Sequence, residues 1–142
     1  MDLRELYQEV ILDHNKRPRN FKVPDPNNRK AEGYNPLCGD KITIYLYVEG
    51  NVIKDLGFQG TGCAISKASA SMMTQLLKEK SVPQALTLAR RMSAMMQGDE
   101  AAAKDTSLGD LRALAGVSKF PVRIKCALLP WNALTDAFES SA

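Results

Sequence analysis

The sequence predicts an α+β fold in which a small antiparallel β-sheet of about three strands packs against several helices. Strand patterns, in which apolar and polar residues alternate, lie in the first half of the chain, up to residue 58. From residue 64 onward the apolar residues recur at helical spacing instead. The chain has 142 residues, the length of one ordinary domain, so we expect a single domain over residues 1–142.

The first predicted element is an amphipathic helix over residues 3–14. Its apolar residues fall three or four positions apart: Leu3, Leu6, Tyr7, Val10 and Ile11. We expect the helix to end near Lys16, because Pro18 disfavours helical geometry in the residue before it. The next segment, 17–35, is rich in Pro, Asn and Arg and is predicted to be a long loop with a short strand around 30–34.

A hairpin is predicted after this loop. Residues 41–49 alternate between apolar and polar side chains, which is typical of a strand with one buried face. Gly50-Asn51 is a two-residue hairpin turn signal, and residues 52–58 return as the next strand. The strands therefore form a meander, and no parallel crossover is expected.

The first two helices after the sheet are predicted over 64–80 and 82–96. Ser81 and Gln84 form a capping-box signature at the start of the second. Five methionines at helical spacing are expected to fill the core, with a groove for a partner as the alternative: Met72, Met73, Met92, Met95 and Met96.

The remaining chain is predicted to hold an exposed polar segment over 98–106, a short helix over 107–114 that stops at Gly116, and a last helix from 120 to about 138. Pro130 lies inside that last helix. Because proline has no N–H to donate to the carbonyl of Cys126, we expect Pro130 to interrupt the helix.

Composition excludes several classes of protein. Apolar residues make up 44% and charged residues 25%, which argues against disorder. The formal net charge is +3 and the basic residues are scattered, so nucleic-acid binding is not predicted. No apolar run approaches the roughly 18 residues of a membrane span, and the N-terminal residues do not resemble a secretory signal. The 3 cysteines are widely spaced, so we expect the cytoplasm rather than a disulfide framework.

Each cysteine lies where it could carry chemistry. Cys38 precedes Gly39, which permits a sharp turn, so that the side chains of Cys38 and Asp40 can converge. Cys63 comes at the start of a predicted helix, where the unpaired N–H groups and the helix dipole favour a thiolate. Cys126 lies on the apolar face of the last helix. Taken alone, the segment around Cys38 favours an ordinary turn thiol. Cys126 taken alone is interpreted as a core residue, since small buried thiols are common.

Together these residues indicate a metal site. Three thiolates and the carboxylate of Asp40 supply four ligands, which suits tetrahedral Zn²⁺, although thiolate-rich sets also suit iron–sulfur clusters. Arg123 lies three positions before Cys126 on the same helix face, so we expect it to offset the negative charge of the ligands. The long spacings match no short zinc-finger pattern and do not establish the site by themselves.

His14 is the single histidine and lies near the end of the first predicted helix. A cationic side chain suits a helix C-terminus. We therefore expect that role, or a place on a docking surface, rather than metal ligation.

The segments around the cysteines resemble the U-type iron–sulfur assembly proteins, the family of IscU, SufU and the N-terminal domain of NifU. Residues 35–40, Asn-Pro-Leu-Cys-Gly-Asp, resemble its first ligand motif. Residues 57–66 resemble its second, residues 120–131 its third, and residues 6–20 its opening helix and loop. The motifs occur in the family's order and cover nearly the whole chain, which implies a SufE/NifU-like fold.

Within that family the chain resembles the SufU branch. IscU-type scaffolds carry a histidine immediately before the third cysteine, where this chain has Lys125. The stretch before the third cysteine is also longer than in IscU, as it is in SufU. The resemblance implies a Zn²⁺ ion held by Cys38, Asp40, Cys63 and Cys126.

The SufU resemblance also implies a zinc-dependent sulfurtransferase of iron–sulfur cluster assembly. A pyridoxal-phosphate-dependent cysteine desulfurase of the SufS type would deliver persulfide sulfur to Cys38. In this branch a histidine of the desulfurase displaces the acceptor thiolate from zinc, and downstream assembly machinery receives the sulfur. Whether the chain counts as an enzyme or as a co-substrate of the desulfurase stays open.

Two other functions compete with sulfur transfer. The first is a scaffold for a [2Fe–2S] cluster on the same ligands, against which Lys125 counts because an amine is a poor cluster ligand. The second is a structural zinc module without turnover, against which Asp40 counts because carboxylates are uncommon in closed structural sites. Sulfur transfer is the hypothesis that the residues favour.

Overall fold

Three antiparallel strands followed by a series of helices form the fold in a computed structural model that describes residues 3–139. The predicted α+β class is confirmed. In chain order the elements are α1 (Leu3–Lys16), β1 (Arg29–Asn35), β2 (Asp40–Glu49), β3 (Val52–Thr61), α2 (Ala64–Leu77), α3 (Val82–Met96), α4 (Glu100–Ala103), a 3₁₀ segment (Thr106–Lys119) and α5 (Pro121–Glu139).

The sheet is a meander in the order β1-β2-β3, with both pairs antiparallel. Gly50 and Asn51 both have positive φ, 59° and 66°, as the tight turn between β2 and β3 requires. The register pairs Asp40 with Asn35 on one side and Lys41 with Thr61 on the other. The end of β1, the start of β2 and the end of β3 therefore meet at one end of the sheet.

The core lies between one face of the sheet and the helices α2 and α5. The strand residues on that face are at most 1% exposed: Ile42, Ile44, Leu46, Ile53, Leu56 and Phe58. Helix α5 lies directly on β1, where a side chain at Gly33 would come within 3.0 Å of Leu129. The five methionines predicted to fill the core are all buried, so the alternative of a methionine-lined partner groove is wrong.

The helices after the sheet differ from the prediction at the end of α2 and in the segment after α3. Helix α2 ends at Leu77 rather than near residue 80, because the chain turns through Glu79 with φ of 69°. The capping box of α3 is confirmed, since the Ser81 hydroxyl accepts the N–H of Gln84 at 3.2 Å and the Gln84 amide accepts the N–H of Ser81 at 2.9 Å. The polar segment after α3 is not simply exposed: it contains α4, whose first turn is capped by Asp99.

The short helix predicted over 107–114 is instead part of the longer 3₁₀ segment, which continues past Gly116 to Lys119. Its buried apolar residues lie three positions apart, which is the period of a 3₁₀ helix: Leu108, Leu111, Leu114 and Val117. A kink at Gly109, with φ of 55°, divides the segment.

Pro130 does not interrupt α5, contrary to expectation. The helix is continuous from Pro121 to Glu139, with Pro130 itself buried. Proline still removes one backbone hydrogen bond, but the neighbouring Trp131 and Leu134 are buried in the core. Packing of these α5 residues in the core keeps the chain helical through the missing bond.

His14 joins three elements instead of lying on a docking surface. The side chain is in the last turn of α1 and is 1% exposed, so a docking role is wrong. Its Nδ1 lies 2.7 Å from the Ser71 hydroxyl of α2, and its Nε2 lies 2.9 Å from a carboxylate oxygen of Asp110 in the 3₁₀ segment. The hydrogen bond from His14 holds the pKa of the Asp110 carboxyl below its usual value.

The described part of the chain contains no helix of the length and apolar character needed to cross a membrane.

Replacing His14 by alanine should lower the free energy of unfolding by about 1–3 kcal/mol, because Ser71 and Asp110 both lose a hydrogen-bond partner at a largely buried position. Urea unfolding followed by circular dichroism measures the change. Gln8→Ala, at an exposed position of the same helix, should leave the free energy nearly unchanged. Equal urea midpoints for His14→Ala and the wild type would contradict this role.

Candidate metal centre

The four ligands predicted from the sequence converge at the end of the sheet where β1, β2 and β3 meet. One ligand atom each from Cys38, Asp40 and Cys126 lies within 4.8 Å of the other two. The sulfur atoms of Cys38 and Cys126 are 3.2 Å apart. The sulfur of Cys63 lies 3.8 Å from Oδ2 of Asp40. Segments far apart in the sequence thus supply one compact set of three thiols and a carboxylate.

Asp40 is the centre of this set. It is the first residue of β2 and is fully buried, at 0% exposure. Its Oδ1 accepts the backbone N–H of Cys63 at 2.7 Å, and its Oδ2 faces the Cys63 sulfur. A buried carboxylate is costly unless hydrogen bonds or a cation compensate it. The N–H of Cys63 compensates one oxygen, which leaves the other suited to a metal ion.

Cys63 occupies the N-cap position of α2, as the sequence predicts. Its side chain makes no capping hydrogen bond to the helix, so the sulfur is free to face Asp40. The buried hydroxyl of Ser66 lies 3.8 Å from that sulfur and donates to the Cys63 carbonyl at 3.2 Å. The helix N-terminus favours negative charge on the sulfur, which suits a metal-bound thiolate.

The glycine before Cys63 makes room for the site. A Cβ atom at Gly62 would lie 2.7 Å from Oδ1 of Asp40 and 2.6 Å from the hydroxyl of Ser66. Any side chain there would have to displace the Asp40 carboxylate and the Ser66 hydroxyl. Gly62 therefore allows the backbone to approach Asp40 closely enough for the hydrogen bond from Cys63.

Cys126 is the deepest of the three thiols. It lies in the second turn of α5 and is 1% exposed. Burial raises the pKa of its thiol well above the usual value, and hydrogen bonds with Cys38, Asp40 and Cys63 raise it further. The raised pKa favours the neutral thiol, and a cation bound at the site would favour the thiolate instead.

Cys38 is the exposed member of the set. It lies in the loop between β1 and β2, and the next residue, Gly39, has φ of 69°, which returns the chain to Asp40. Cys63 is half-buried and Cys126 is buried. The thiols therefore differ in accessibility although they face one another.

The predicted charge compensation by Arg123 has no direct contact to support it. Within residues 3–139 no hydrogen bond or ion pair joins Arg123 to a ligand of the site. Its exposed side chain instead lines an apolar groove of about 650 Å³, together with Tyr7, Ile65 and Phe120. Lys125 is exposed, as expected for a solvated charge.

The residues present fit one tetrahedral zinc ion. In a tetrahedral site, zinc–sulfur bonds of about 2.3 Å and zinc–oxygen bonds of about 2.0 Å place the ligand atoms roughly 3.5–3.8 Å apart. The distance between the sulfurs of Cys38 and Cys126 is 3.2 Å, and that between Cys63 and Asp40 is 3.8 Å. Small adjustments of the side chains would thus suffice for coordination.

Two buried residues beside the site, Asn35 and Ser66, were not singled out from the sequence. Asn35 donates its Nδ2–H to the sulfur of Cys126 at 3.6 Å, and Ser66 contacts Cys63. The sequence offers one indication for Asn35: in a turn, an asparagine side chain commonly accepts the backbone N–H two residues further on, and Pro36 follows it directly. Its contact with a helix 91 residues away had no local signal.

Comparison with known proteins finds one family and several similar proteins. Residues 6–127 match the sequence profile of the family described as the NifU-like N terminal domain. A protein of Bacillus subtilis strain 168 named zinc-dependent sulfurtransferase SufU is 49% identical over 135 residues, which cover 94% of this chain and 89% of that protein. The iron–sulfur cluster assembly scaffold protein IscU of Streptococcus pyogenes serotype M1 is 45% identical over 140 residues, covering 99% and 87%.

A solved structure is also similar to this chain. It comes from the thermophile Fervidobacterium islandicum AW-1 and is described as a candidate iron–sulfur cluster assembly scaffold protein for the SUF system. It is 34% identical, with a TM-score of 0.83, and the match covers 96% of this chain and 98% of that one. The order of strands and helices is therefore that of a known group of structures.

Replacing Gly62 by alanine should weaken Zn²⁺ binding by at least about tenfold, because the added methyl group displaces the Asp40 carboxylate that orients the site. A competition titration with a chromophoric chelator measures the affinity. The matched control is Gly116→Ala, where an added Cβ meets no atom within 4 Å. Unchanged zinc affinity in Gly62→Ala would show that this close approach does not shape the site.

Proposed function

The chain belongs to the family of NifU-like N-terminal domains, and on that premise we propose that it is a zinc-dependent sulfurtransferase of iron–sulfur cluster assembly. Membership of the family confirms the resemblance of the three motifs. The observation that carries the proposal is the convergence of three thiols and a buried carboxylate, with Cys38 exposed at the surface of the set.

Cys38, Asp40, Cys63 and Cys126 would hold the zinc ion. Bound zinc would keep the thiols deprotonated near neutral pH and would damp their nucleophilicity. The four residues differ in how firmly the fold holds them. Asp40, Cys63 and Cys126 lie on or beside regular elements, whereas Cys38 lies in a loop. Cys38 can therefore leave the set with the least disturbance of the fold.

The reaction is a thiol–persulfide exchange at Cys38. Its thiolate attacks the terminal sulfur of a persulfide on the donor cysteine, and a new sulfur–sulfur bond forms at Cys38. The sulfur–sulfur bond of the donor breaks at the same time, and the donor cysteine leaves as a thiolate. No net oxidation or reduction occurs, and Cys38 carries one additional sulfur atom.

The donor in this proposal is a pyridoxal-phosphate-dependent cysteine desulfurase of the SufS type, and iron–sulfur assembly machinery downstream takes the sulfur from Cys38. The similarity to the sulfurtransferase of Bacillus subtilis supports that role. We place the protein in the cytoplasm, because three free thiols suit a reducing compartment.

A [2Fe–2S] scaffold on the same ligands is the second candidate function. The similarity to proteins named as IscU scaffolds supports it. Two observations favour zinc instead. One ligand atom each from Cys38, Asp40 and Cys126 lies within 4.8 Å of the other two, near enough to be drawn onto a single ion. The residue before Cys126 is Lys125, whose amine is a poor cluster ligand.

Replacing Cys38 by alanine should abolish sulfur uptake, because the exposed acceptor is lost, while the metal-free variant keeps the urea midpoint of the metal-free wild type. Uptake is measured by intact-mass spectrometry after incubation with a cysteine desulfurase and cysteine, as the gain of one sulfur atom. Leu37→Ala, next to Cys38 and also exposed, serves as the control and should still take up sulfur. Uptake at wild-type level in Cys38→Ala would overturn the acceptor assignment.

Metal analysis separates the two candidate functions. Protein purified without added metal should contain about one zinc per chain, no acid-labile sulfide and no visible absorption band, because the four ligands suit one tetrahedral ion. Elemental analysis, a sulfide assay and an absorption spectrum measure these properties. Iron together with acid-labile sulfide and a brown colour would support the scaffold and contradict the zinc proposal.

A further inference from the structure

We propose that Asn35 is a positioning residue that determines which of two neighbouring thiols, Cys38 or Cys126, accepts the incoming sulfur. The inference deepens the proposed function and rests on it. The sulfurs of Cys38 and Cys126 are 3.2 Å apart, so distance from the donor alone does not distinguish them. Their surroundings do, and Asn35 contacts both.

Asn35 acts on the Cys38 side through the conformation of the loop. It is the last residue of β1, and its side-chain Oδ1 accepts the backbone N–H of Leu37 at 3.2 Å. Its backbone carbonyl accepts the N–H of Cys38 at 3.3 Å. These two bonds close a turn over Pro36 and fix where the loop leaves the strand. Cys38 is exposed to solvent in this turn. Asp40, two residues further on, pairs with Asn35 where β2 begins beside β1.

Asn35 acts on the Cys126 side through the sulfur itself. Its Nδ2–H donates to the sulfur of Cys126 at 3.6 Å, across the interface between β1 and α5. Asn35 is 6% exposed and Cys126 is 1% exposed, so water does not readily replace this donor. The hydrogen bond occupies a lone pair of the sulfur and holds the side chain in place. Cys126 is thereby kept as a fixed ligand, and Cys38 is left as the mobile one.

The amide of asparagine meets both requirements at once. An aspartate would keep the bond to Leu37 but would place a second oxygen, which is an acceptor, against the sulfur. A serine could still accept the N–H of Leu37 but would be too short to reach Cys126. Alanine would provide neither bond. Asn35→Ser therefore removes the contact with the Cys126 sulfur alone, whereas Asn35→Ala removes both that contact and the bond to Leu37.

The test compares alkylation of the three cysteines in the full chain, as purified and after treatment with a chelator. Limiting iodoacetamide is added at one pH, and peptide mass spectrometry gives the ratio of modified Cys126 to modified Cys38. Both Asn35→Ala and Asn35→Ser should raise this ratio by about tenfold, the equivalent of one lost buried hydrogen bond. A general loosening of the fold would expose the half-buried Cys63 together with Cys126, so the proposal also expects modified Cys126 to rise relative to modified Cys63.

Asn28→Ala is the matched control. Asn28 lies immediately before β1 and forms two side-chain hydrogen bonds with the backbone of Val48, at 2.8 Å each, far along the sheet from the thiols. Its replacement should lower the urea midpoint and leave the alkylation ratio at the wild-type value. If Asn35→Ala does not fold, Asn35→Ser decides, since it keeps an acceptor for Leu37. A wild-type ratio in Asn35→Ser would overturn the role of the sulfur contact.

A second readout separates this inference from the proposed function. After incubation with a desulfurase and cysteine, mass spectrometry locates the added sulfur, which should lie on Cys38 in the wild type and partly on Cys126 in the Asn35 variants. Absence of sulfur on the wild type, with an altered alkylation ratio in the variants, would refute sulfur transfer but leave Asn35 as the positioning residue. Sulfur on Cys38 alone in every variant would overturn the inference about Asn35.

Discussion

The buried carboxylate of Asp40 is the constraint on which the site depends. It starts β2, pairs with the end of β1 through Asn35, and receives the backbone N–H of Cys63 at the start of α2. A charged group without exposure to water must be compensated on every side. The surrounding chain meets this demand with the close approach of Gly62, the N-cap position of Cys63 and one oxygen left for a cation.

In this arrangement the three thiols differ in how exposed they are and in which element carries them. Three thiols face one another, but they are carried by a loop, a helix start and a buried helix turn. A site whose ligands were all buried would hold an ion firmly and exchange nothing. Cys38 is exposed in a loop and Cys126 is buried on α5, so the same group of thiols combines an enclosed part with a part that is open to solvent.

The sequence predicted the sheet well because the sheet depends on local patterns, whereas the metal-binding role of Cys38, Asp40, Cys63 and Cys126 stays a prediction. Strand alternation, the Gly50-Asn51 turn and the capping box of Ser81 are each set by neighbours within a few residues. The predictions that were wrong concern residues whose surroundings are set by contacts between distant segments. His14 is buried by contacts with Ser71 and Asp110, and α5 passes through Pro130 because the core holds it. The hydrogen bond from Asn35 to Cys126 joins residues 91 positions apart, which no local pattern reveals.

The spread of the four ligands along the chain has a consequence for folding. The proposed ligands lie at positions 38, 40, 63 and 126, so one ion would link the start of β2 to α2 and α5 as a cross-link does. Closing a loop of roughly 100 residues removes about 4–5 kcal/mol of conformational entropy from the unfolded chain on the chain-entropy account. Metal occupancy would then set the lifetime of the folded chain against cellular proteases, and a metal-starved cell would hold less of this protein.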